Sequence, residues 1–450
     1  MIEGLYDYQQ EPLIKFKNTN NILLCDDMGV GKTVEAIALD SLRREQMPAR
    51  TKTLVIAPLS GVVDSWVEHF EHWNPDLKVV RINPKRREAF LKQNADVYVM
   101  HWEGLRLLWE PLSKRKWLHI IADESHRAKN RKAKQTRALK KVKANYKTAL
   151  TGTPIINRPD EIWSILNWLY PREYRSYWRF FNKYVEYIEL PKPGGGTYKK
   201  VIGPKNEPEL RKAIEEFYLR RTKKQVLPFL PDKYYTKIEI ELSTQERRLY
   251  NEMKREMIAW VGEMEEEPIV APVVIAQLVR LQQFALGTAS IVNDRVQISK
   301  PSSKLTALLN VLSDMDQDKQ VVIFSQSKQM VNLIASELDS VVTFTGDTNQ
   351  QDRSEVIDEF TSGSARCFVA TIRAGGVGLN LQNADTVIFT DRDWSPANNL
   401  QAEDRLHRSG QKNAVQVIDI IAKDTIDQGK EQKLQQKWEW IKAILGAEYV

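Results

Sequence analysis

The sequence predicts an α/β protein with two parallel-sheet halves in one 450-residue chain and helical insertions between them. Three observations carry this. Runs of four to six apolar residues bounded by polar or turn residues recur in two groups, one before Pro154 and one after Ser303. Helical patterns separate the runs, as crossover connections between parallel strands require. A glycine-rich loop ending in GKT joins the first run to the first helical pattern. With 42% hydrophobic and 28% charged residues, the chain is long enough to bury such cores.

In chain order, NILLCDD, KTLVIAP, DVYVMHW, WLHIIAD and KTALTGTP predict buried strands. After Pro154, DEIWSILNWLYP and YRSYWRFFNKYVEYI carry aromatic and aliphatic residues at helical spacing, and PKPGGGTYKK interrupts them as a loop. Trp163, Trp168, Trp178 and Phe180 are read as core packing rather than a base-stacking platform. STQERRLYNEMKREMIAW follows as a charged helix, and EEEPIVAPV, acidic and proline-containing, suits an exposed connection. QVVIFSQ, VVTFTG, ARCFVAT, DTVIFTD and VQVIDII then predict the second sheet. The domain boundaries expected are 1–220, a helical connecting region at 221–295, and 296–450.

The 66 Lys and Arg exceed the 59 Asp and Glu by 7, which is compatible with a polyanionic partner without requiring one. Cys25 and Cys367 have no partners at metal-ligand spacing, which argues against zinc sites and disulfides and for a reducing, intracellular setting. The amino terminus lacks an export pattern, and no apolar stretch approaches the roughly 18 residues of a membrane span.

DDMGVGKT, residues 26–33, is the strongest local motif. Gly29 and Gly31 permit close backbone approach, and the amides of Asp26 to Thr33 run into a helix start that favours phosphate. Lys32 can reach the β- and γ-phosphates, and the Thr33 hydroxyl suits magnesium. The generic loop places a glycine where Asp26 stands.

IIADESHRAKN, residues 120–130, sets Asp123, Glu124, Ser125 and His126 side by side. A strand ending at Asp123 brings the acidic pair to the carboxyl edge of the sheet, where open α/β sheets bind ligands. Asp123 then suits magnesium, and Glu124 suits the attacking water. A Ser/His dyad is disfavoured, because adjacent extended residues face opposite ways and no GxSxG surrounds Ser125. A transition-metal site lacks ligands. From His126 to Lys147 ten Lys and Arg occur with no acid, which fits either a solvated helical face or a phosphate-backbone contact.

In NLQAEDRLHRSGQ, Arg405 and Arg408 stand three apart on an expected helix, hence on one face, as paired arginines serving a γ-phosphate would. ATIRAGGVGLNL offers glycines after a strand, either for close ligand approach or as a plain turn.

The ordered series LYDYQ, DDMGVGKT, TLVIAPLSGVVDSW, ADESHRAKN, LTGTPIINRPDEIW, LRRTKKQVLPFLPDK, VVIFSQS, ATIRAGGVGLNL and DRDWSPANNLQAEDRLHRSGQ resembles the Swi/Snf-type ATPases of helicase superfamily two, over about residues 5–427. The family's acidic pair ahead of MGxGKT accounts for Asp26 and Asp27. The resemblance implies two RecA-like lobes with ATP in the interlobe cleft, magnesium, and ATP-driven tracking along double-stranded DNA. It implies that Gln9 contacts adenine, that Met28 and Val30 belong to the nucleotide loop, that Gln401 lines the same cleft, and that Arg405 and Arg408 act as fingers. Thr151, Gly152 and Thr153 would couple ATP state to lobe movement, with His126 linking the ATP site to the facing motifs. Pro58, Leu59, Ser60, Lys129, Asn130, Gly375, Gly376 and Gly378 would lie near the DNA track.

Ser125 stands where most members have Ala, and DESH with the RPxE of Asn157 to Glu161 looks like the distant branch that includes annealing helicases. Ser395 and Ser409 replace the more usual Asn and Ile. The motor carries no recognisable chromatin reader, zinc finger or nuclease, so a minimal duplex translocase in a cytoplasm, nucleoid or host cell is expected. Branched DNA or a targeting protein would be its further partners. A strand-separating or annealing helicase is the alternative within enzymes, and an ATP-gated DNA-binding adaptor without turnover the alternative outside them.

Overall fold

The apolar runs of the first half form one sheet in the computed structural model, which describes residues 4–47, 52–58, 60–86, 89, 93–155, 157–191, 195–263, 278–293, 295–349, 352–376 and 379–445. Its strands are β1 (Asn21–Leu24), β2 (Thr53–Ala57), β3 (Val79–Arg81), β4 (Val97–His101), β5 (Trp117–Ala122) and β6 (Ala144–Leu150). A separate two-stranded pair, β7 (Val185–Pro191) and β8 (Thr197–Pro204), flanks PKPGGG, and β9 (Tyr218–Leu219) returns to the first sheet. The order is β3-β4-β2-β5-β6-β1-β9, with every pairing parallel. Alternate residues feed two cores: Leu23, Leu54, Ile56, Tyr98 and Ile120 on one face, Ile22, Leu24, Val55, Val97 and Ile121 on the other. The strands therefore read as continuous apolar runs because both faces are covered.

The second sheet comprises β10 (Lys233–Ile240), β13 (Val321–Ser325), β14 (Val341–Phe344), β15 (Cys367–Thr371), β16 (Thr386–Phe389) and β17 (Val415–Ala422). Its order is β10-β17-β16-β13-β15-β14, again all parallel. A small hairpin, β11 (Thr288–Val292) and β12 (Arg295–Ser299), stands apart from it. Val322, Phe324, Phe368 and Phe389 fill one face, and Ile323, Val369, Ile388 and Ile418 the other.

The chain divides into two units, Met1–Glu186 with Val201–Pro228 and Lys437–Val450, and Tyr187–Lys200 with Phe229–Gln436. The described parts of 229–295, expected within a separate connector, thus fall in the second unit. Here β10 pairs with β17 over eight residues, and the helix Thr244–Glu263 follows. EEEPIVAPV lies outside the described residues. Trp163, Trp168 and Phe180 are buried as expected, whereas Trp178 is 55% exposed, because the helix Tyr177–Tyr184 turns Phe180, Phe181 and Tyr184 inward instead. Among the described residues no helix is long and apolar enough to cross a membrane.

Candidate nucleotide-phosphate site

Three neighbouring strands of the first sheet, β5, β6 and β1, deliver the site from their carboxyl ends. Asp123 follows β5, Thr151 to Thr153 follow β6, and the loop from Asp26 follows β1. The loop turns on Gly29 (φ 78°) and Gly31 (φ 91°), left-handed conformations that suit glycine, and Gly31 caps the helix Lys32–Gln46. Among the described residues no backbone carbonyl accepts from the amides of Gly29, Val30 or Gly31. Together with the first helical amides they form an anion-binding nest. Lys32 Nζ donates to the carbonyls of Asp26 (2.6 Å) and Asp27 (2.7 Å), which folds the ammonium over its own loop. Gln9 is buried, and its side-chain amide lies where a Cβ on Gly31 would project. Tyr8 Oη donates to the Val30 carbonyl at 2.7 Å, tying the first helix to the loop. Gly152 is a second close approach: a Cβ there would stand 2.8 Å from Met28 Cγ, so the TGTP turn packs on the phosphate loop.

Asp123 is held by Trp66 Nε1, which donates to Oδ2 at 3.0 Å, and by the Glu124 amide, which donates to Oδ1 at 2.8 Å. Burial, reinforced by the Glu124 charge, pushes its carboxyl up to about 6. Each oxygen accepts one hydrogen bond and keeps a lone pair, so the group fits a magnesium ion that takes few protein ligands. Glu124 adopts φ 46°, which separates its carboxylate from that of Asp123. His126 Nδ1 lies 3.1 Å from both Glu124 Oε2 and Thr151 Oγ1, and the Thr153 amide donates to that hydroxyl at 3.1 Å. A chain of polar contacts therefore runs from the acidic pair to the TGTP turn. Ser125 is buried, and its Oγ has no hydrogen-bond partner, as a packing position would have it.

Sequence reading missed the residues that hold the acidic pair in place. The Arg221 guanidinium donates to Asp26 Oδ2 through Nε (3.0 Å) and Nη2 and to Glu35 Oε1 at 2.6 Å, and its amide donates to Asp26 Oδ1 at 2.7 Å. Arg220 donates to Asp27 Oδ1 at 3.1 Å and to the Cys25 carbonyl at 2.6 Å, and the Lys223 amide donates to Asp27 Oδ2 at 3.0 Å. Asp26 and Glu35 are completely buried around one guanidinium. Burial raises both carboxyls, Glu35 to about 8, and the guanidinium offsets only part of that rise. Two such carboxyls beside one cation retain a proton near neutrality, and Glu35 is its seat. The Asp26 position is therefore an anchor for the loop and not a phosphate contact. The only trace in the sequence is LRRTKKQ, nearly 200 residues away, with nothing local to link it to DDMGVGKT.

Several expected DNA-track residues are engaged within their own unit. Lys129 Nζ pairs with Glu161 at 3.3 Å, Asn130 Oδ1 accepts from the Lys132 amide, and Pro58 is buried. Ser60 begins the helix Ser60–Trp73, and Leu59 and Gly378 lie outside the described residues. In the basic stretch Arg131, Lys140, Lys141 and Lys147 sit over Tyr177, Trp163, Trp109 and Trp168, which favours the packing side of the alternatives for these four. Lys140 is pushed down to about 8 by burial.

In the second unit the helix Pro396–Glu403 ends before Arg405, so the expectation of both arginines on one helical face is corrected. Side-chain amides replace the next helical turn: Gln411 Nε2 donates to the Leu406 carbonyl (3.2 Å), and Gln382 Nε2 donates to the carbonyls of Arg408 (3.3 Å) and Ser409. Arg405 donates to the Gln401 and Leu379 carbonyls, and Gln401 is buried. A buried ion network anchors this corner: Lys233 to Glu403 (3.1 Å) and Asp404 (3.4 Å), and Arg392 to Glu403 and Asp419 (2.6 Å each). Gly375 and Gly376 fall at the end of the short helix Ile372–Gly375 rather than in an open loop. A Cβ on Gly375 would stand 2.6 Å from Phe324 Cε1, so that glycine serves core packing.

A phosphate loop and an acidic pair at the carboxyl edge of one parallel sheet, in a chain with a second parallel-sheet unit, define an ATP-hydrolysing, helicase-like enzyme. Residues 9–287 match the SNF2-related domain and residues 303–410 the helicase conserved C-terminal domain; the chain belongs to the SNF2-related family. Among its relatives, the transcription regulatory protein SNF2 of Saccharomyces cerevisiae is 31% identical over 94% of this chain and 27% of that protein. An uncharacterized ATP-dependent helicase, MG018, of Mycoplasma genitalium is 30% identical over 99% of this chain and 42% of that protein. The chain thus spans well under half of these relatives' length. A solved Sulfolobus solfataricus SWI2/SNF2 ATPase core in complex with dsDNA aligns over 100% of this chain and 98% of that one, at 26% identity and TM-score 0.46.

Proposed function

We propose that this SNF2-related ATPase translocates on double-stranded DNA, coupling ATP hydrolysis to closure and release of its two lobes and so remodelling DNA or protein–DNA complexes. The observation that carries the reading is the assembly of Lys32, Asp123, Glu124 and the TGTP turn at the ends of three adjacent strands. Lys32 neutralises phosphate charge, Glu124 orients and deprotonates the attacking water, and His126 relays the state of Glu124 to Thr151. Magnesium, held by Asp123 and Thr33, would neutralise charge on the phosphate oxygens. Gln9 and Gln401 would contact the nucleotide, and Arg405 and Arg408 would stabilise the γ-phosphate charge. The net charge of +7 and the family's resemblance to duplex trackers support DNA as the polymer.

The test is ATP turnover of the purified chain with duplex DNA, single strands and RNA, alongside displacement of triplex and duplex strands. Duplex stimulation with triplex displacement and no unwinding is expected, and Lys32→Ala or Glu124→Gln should lower turnover at least 100-fold with an unchanged circular dichroism spectrum. Normal turnover in either variant would sink the site assignment. Duplex unwinding would favour a strand-separating helicase, the activity that the name of the Mycoplasma relative suggests.

A further inference from the structure

A cavity of about 640 Å³ opens at the opposite edge of the first sheet, where the chain enters β1, while the phosphate loop leaves the other end of the same strand. Tyr170, Tyr174, Tyr184 and Phe217 line it with Glu173, Glu216 and the segment 18–21, and none of the eleven lining residues is basic. Tyr170 and Phe217 stack with ring centroids 4.3 Å apart, and the Tyr170 hydroxyl donates to the Asn21 carbonyl at 2.7 Å, which fixes that wall. Glu173 and Glu216 are exposed, and among the described residues neither carboxylate belongs to an ion pair. Both raise the Tyr170 phenol by their charge, on top of its burial, so their field reaches the aromatic wall.

We propose that this cavity binds a basic peptide segment of a partner protein, with an arginine side chain stacked on the tyrosine wall and paired with Glu173 or Glu216. Aromatic faces and carboxylates attract the same ligand group, a cation, and guanidinium satisfies both by stacking and by a two-toothed hydrogen bond. The carboxylates repel phosphate, which excludes DNA from the cavity. The side-chain amides of Asn18, Asn20 and Asn21 add donors and acceptors that a peptide backbone uses and a polyamine, having no carbonyl, uses only in part. The volume lies within the range of ligand pockets and accommodates a few residues. Charge complementarity is local here, since a chain of net charge +7 repels basic peptides elsewhere.

The experiment is fluorescence anisotropy of the full chain, without DNA, against a labelled six-residue peptide alternating arginine and glycine. Binding is expected to weaken at least tenfold in the Glu173→Gln/Glu216→Gln double variant and in Tyr174→Ala, while basal ATP turnover and the thermal midpoint of the double variant stay as in the parent. Equal binding by parent and double variant, or no binding below millimolar peptide, overturns the proposal. Displacement of the peptide by spermidine at equal concentration also overturns it, in favour of a free polyamine. Because the site is remote from Lys32 and Glu124, loss of peptide binding and loss of turnover are separately readable.

Discussion

Replacing Glu35 by Gln should change the pH dependence of stability more than the stability itself. Glu35 is fully buried, and its carboxyl, ordinarily near 4.5, is pushed up to about 8, first by burial and then by Asp26, against the pull of Arg221. A carboxyl raised in the folded state holds a proton that the unfolded chain releases. Its favourable contribution is present in full below about 4.5 and is lost as pH rises through about 8. Each pH unit inside that window costs about 1.4 kcal/mol, so the wild type should lose roughly 4 kcal/mol from this group between about pH 5 and 9. Gln keeps the neutral form at every pH and escapes the loss. Its amide places a donor where Glu35 Oε2 has no partner, an offset of about 1–3 kcal/mol that is independent of pH. The assay is urea titration at a series of pH values, with unfolding of the first unit followed by labelling of buried Cys25, the residue beside Asp26, and mass spectrometry of its peptide. The variant should gain on the wild type steadily as pH rises. Parallel curves, or a wild type that gains on the variant above about pH 6, would refute the shared-proton account of Asp26, Glu35 and Arg221.

Gly31→Ala should weaken ATP binding at least tenfold in a fluorescent-nucleotide titration, because φ 91° costs a side chain about 1–2 kcal/mol and the new Cβ would overlap the Gln9 amide. Unchanged affinity would show that the loop does not need this close approach. Lys233→Met should destabilise the second unit by about 3–5 kcal/mol, because it leaves the buried Glu403 and Asp404 short of a cation. Faster labelling of Cys367 in urea, with Cys25 unchanged, is the expected reading. Equal protection of Cys367 would mean that Arg392 alone satisfies Glu403.

The strands most legible in the sequence are those buried on both faces. NILLC, WLHIIAD and QVVIFSQ read as strands because neither face can tolerate a polar residue, and the structure places them in the middle of their sheets. β10 was invisible for the complementary reason. As an edge strand with exposed Tyr234 and Tyr235 it has no apolar run, and its pairing with β17 is fixed by residues about 180 positions later. Local chemistry was equally readable where function needs contiguous backbone, as at Gly29 to Thr33 or Asp123 and Glu124. It failed where a side chain substitutes for backbone: Gln382 and Gln411 accept the task of a helical turn, and the spacing of Arg405 and Arg408 then says nothing about a helical face.

The acidic pair shows how such a gap bears on function. Asp26 stands where the generic loop has glycine, and a carboxylate facing phosphate there would oppose binding. The structure resolves the conflict by turning Asp26 away into Arg221 and Asp27 into Arg220, so that two ion pairs replace the glycine's freedom with a fixed anchor. Lys32 then rests on the carbonyls of the same two residues, 2.6 and 2.7 Å away. The lysine that meets phosphate is thus positioned by backbone that arginines from the far end of the first unit hold in place. Any movement of the segment at Arg220 and Arg221 reaches Lys32 through two hydrogen bonds, which makes LRRTKKQ part of the ATP machinery although no residue in it need touch the nucleotide.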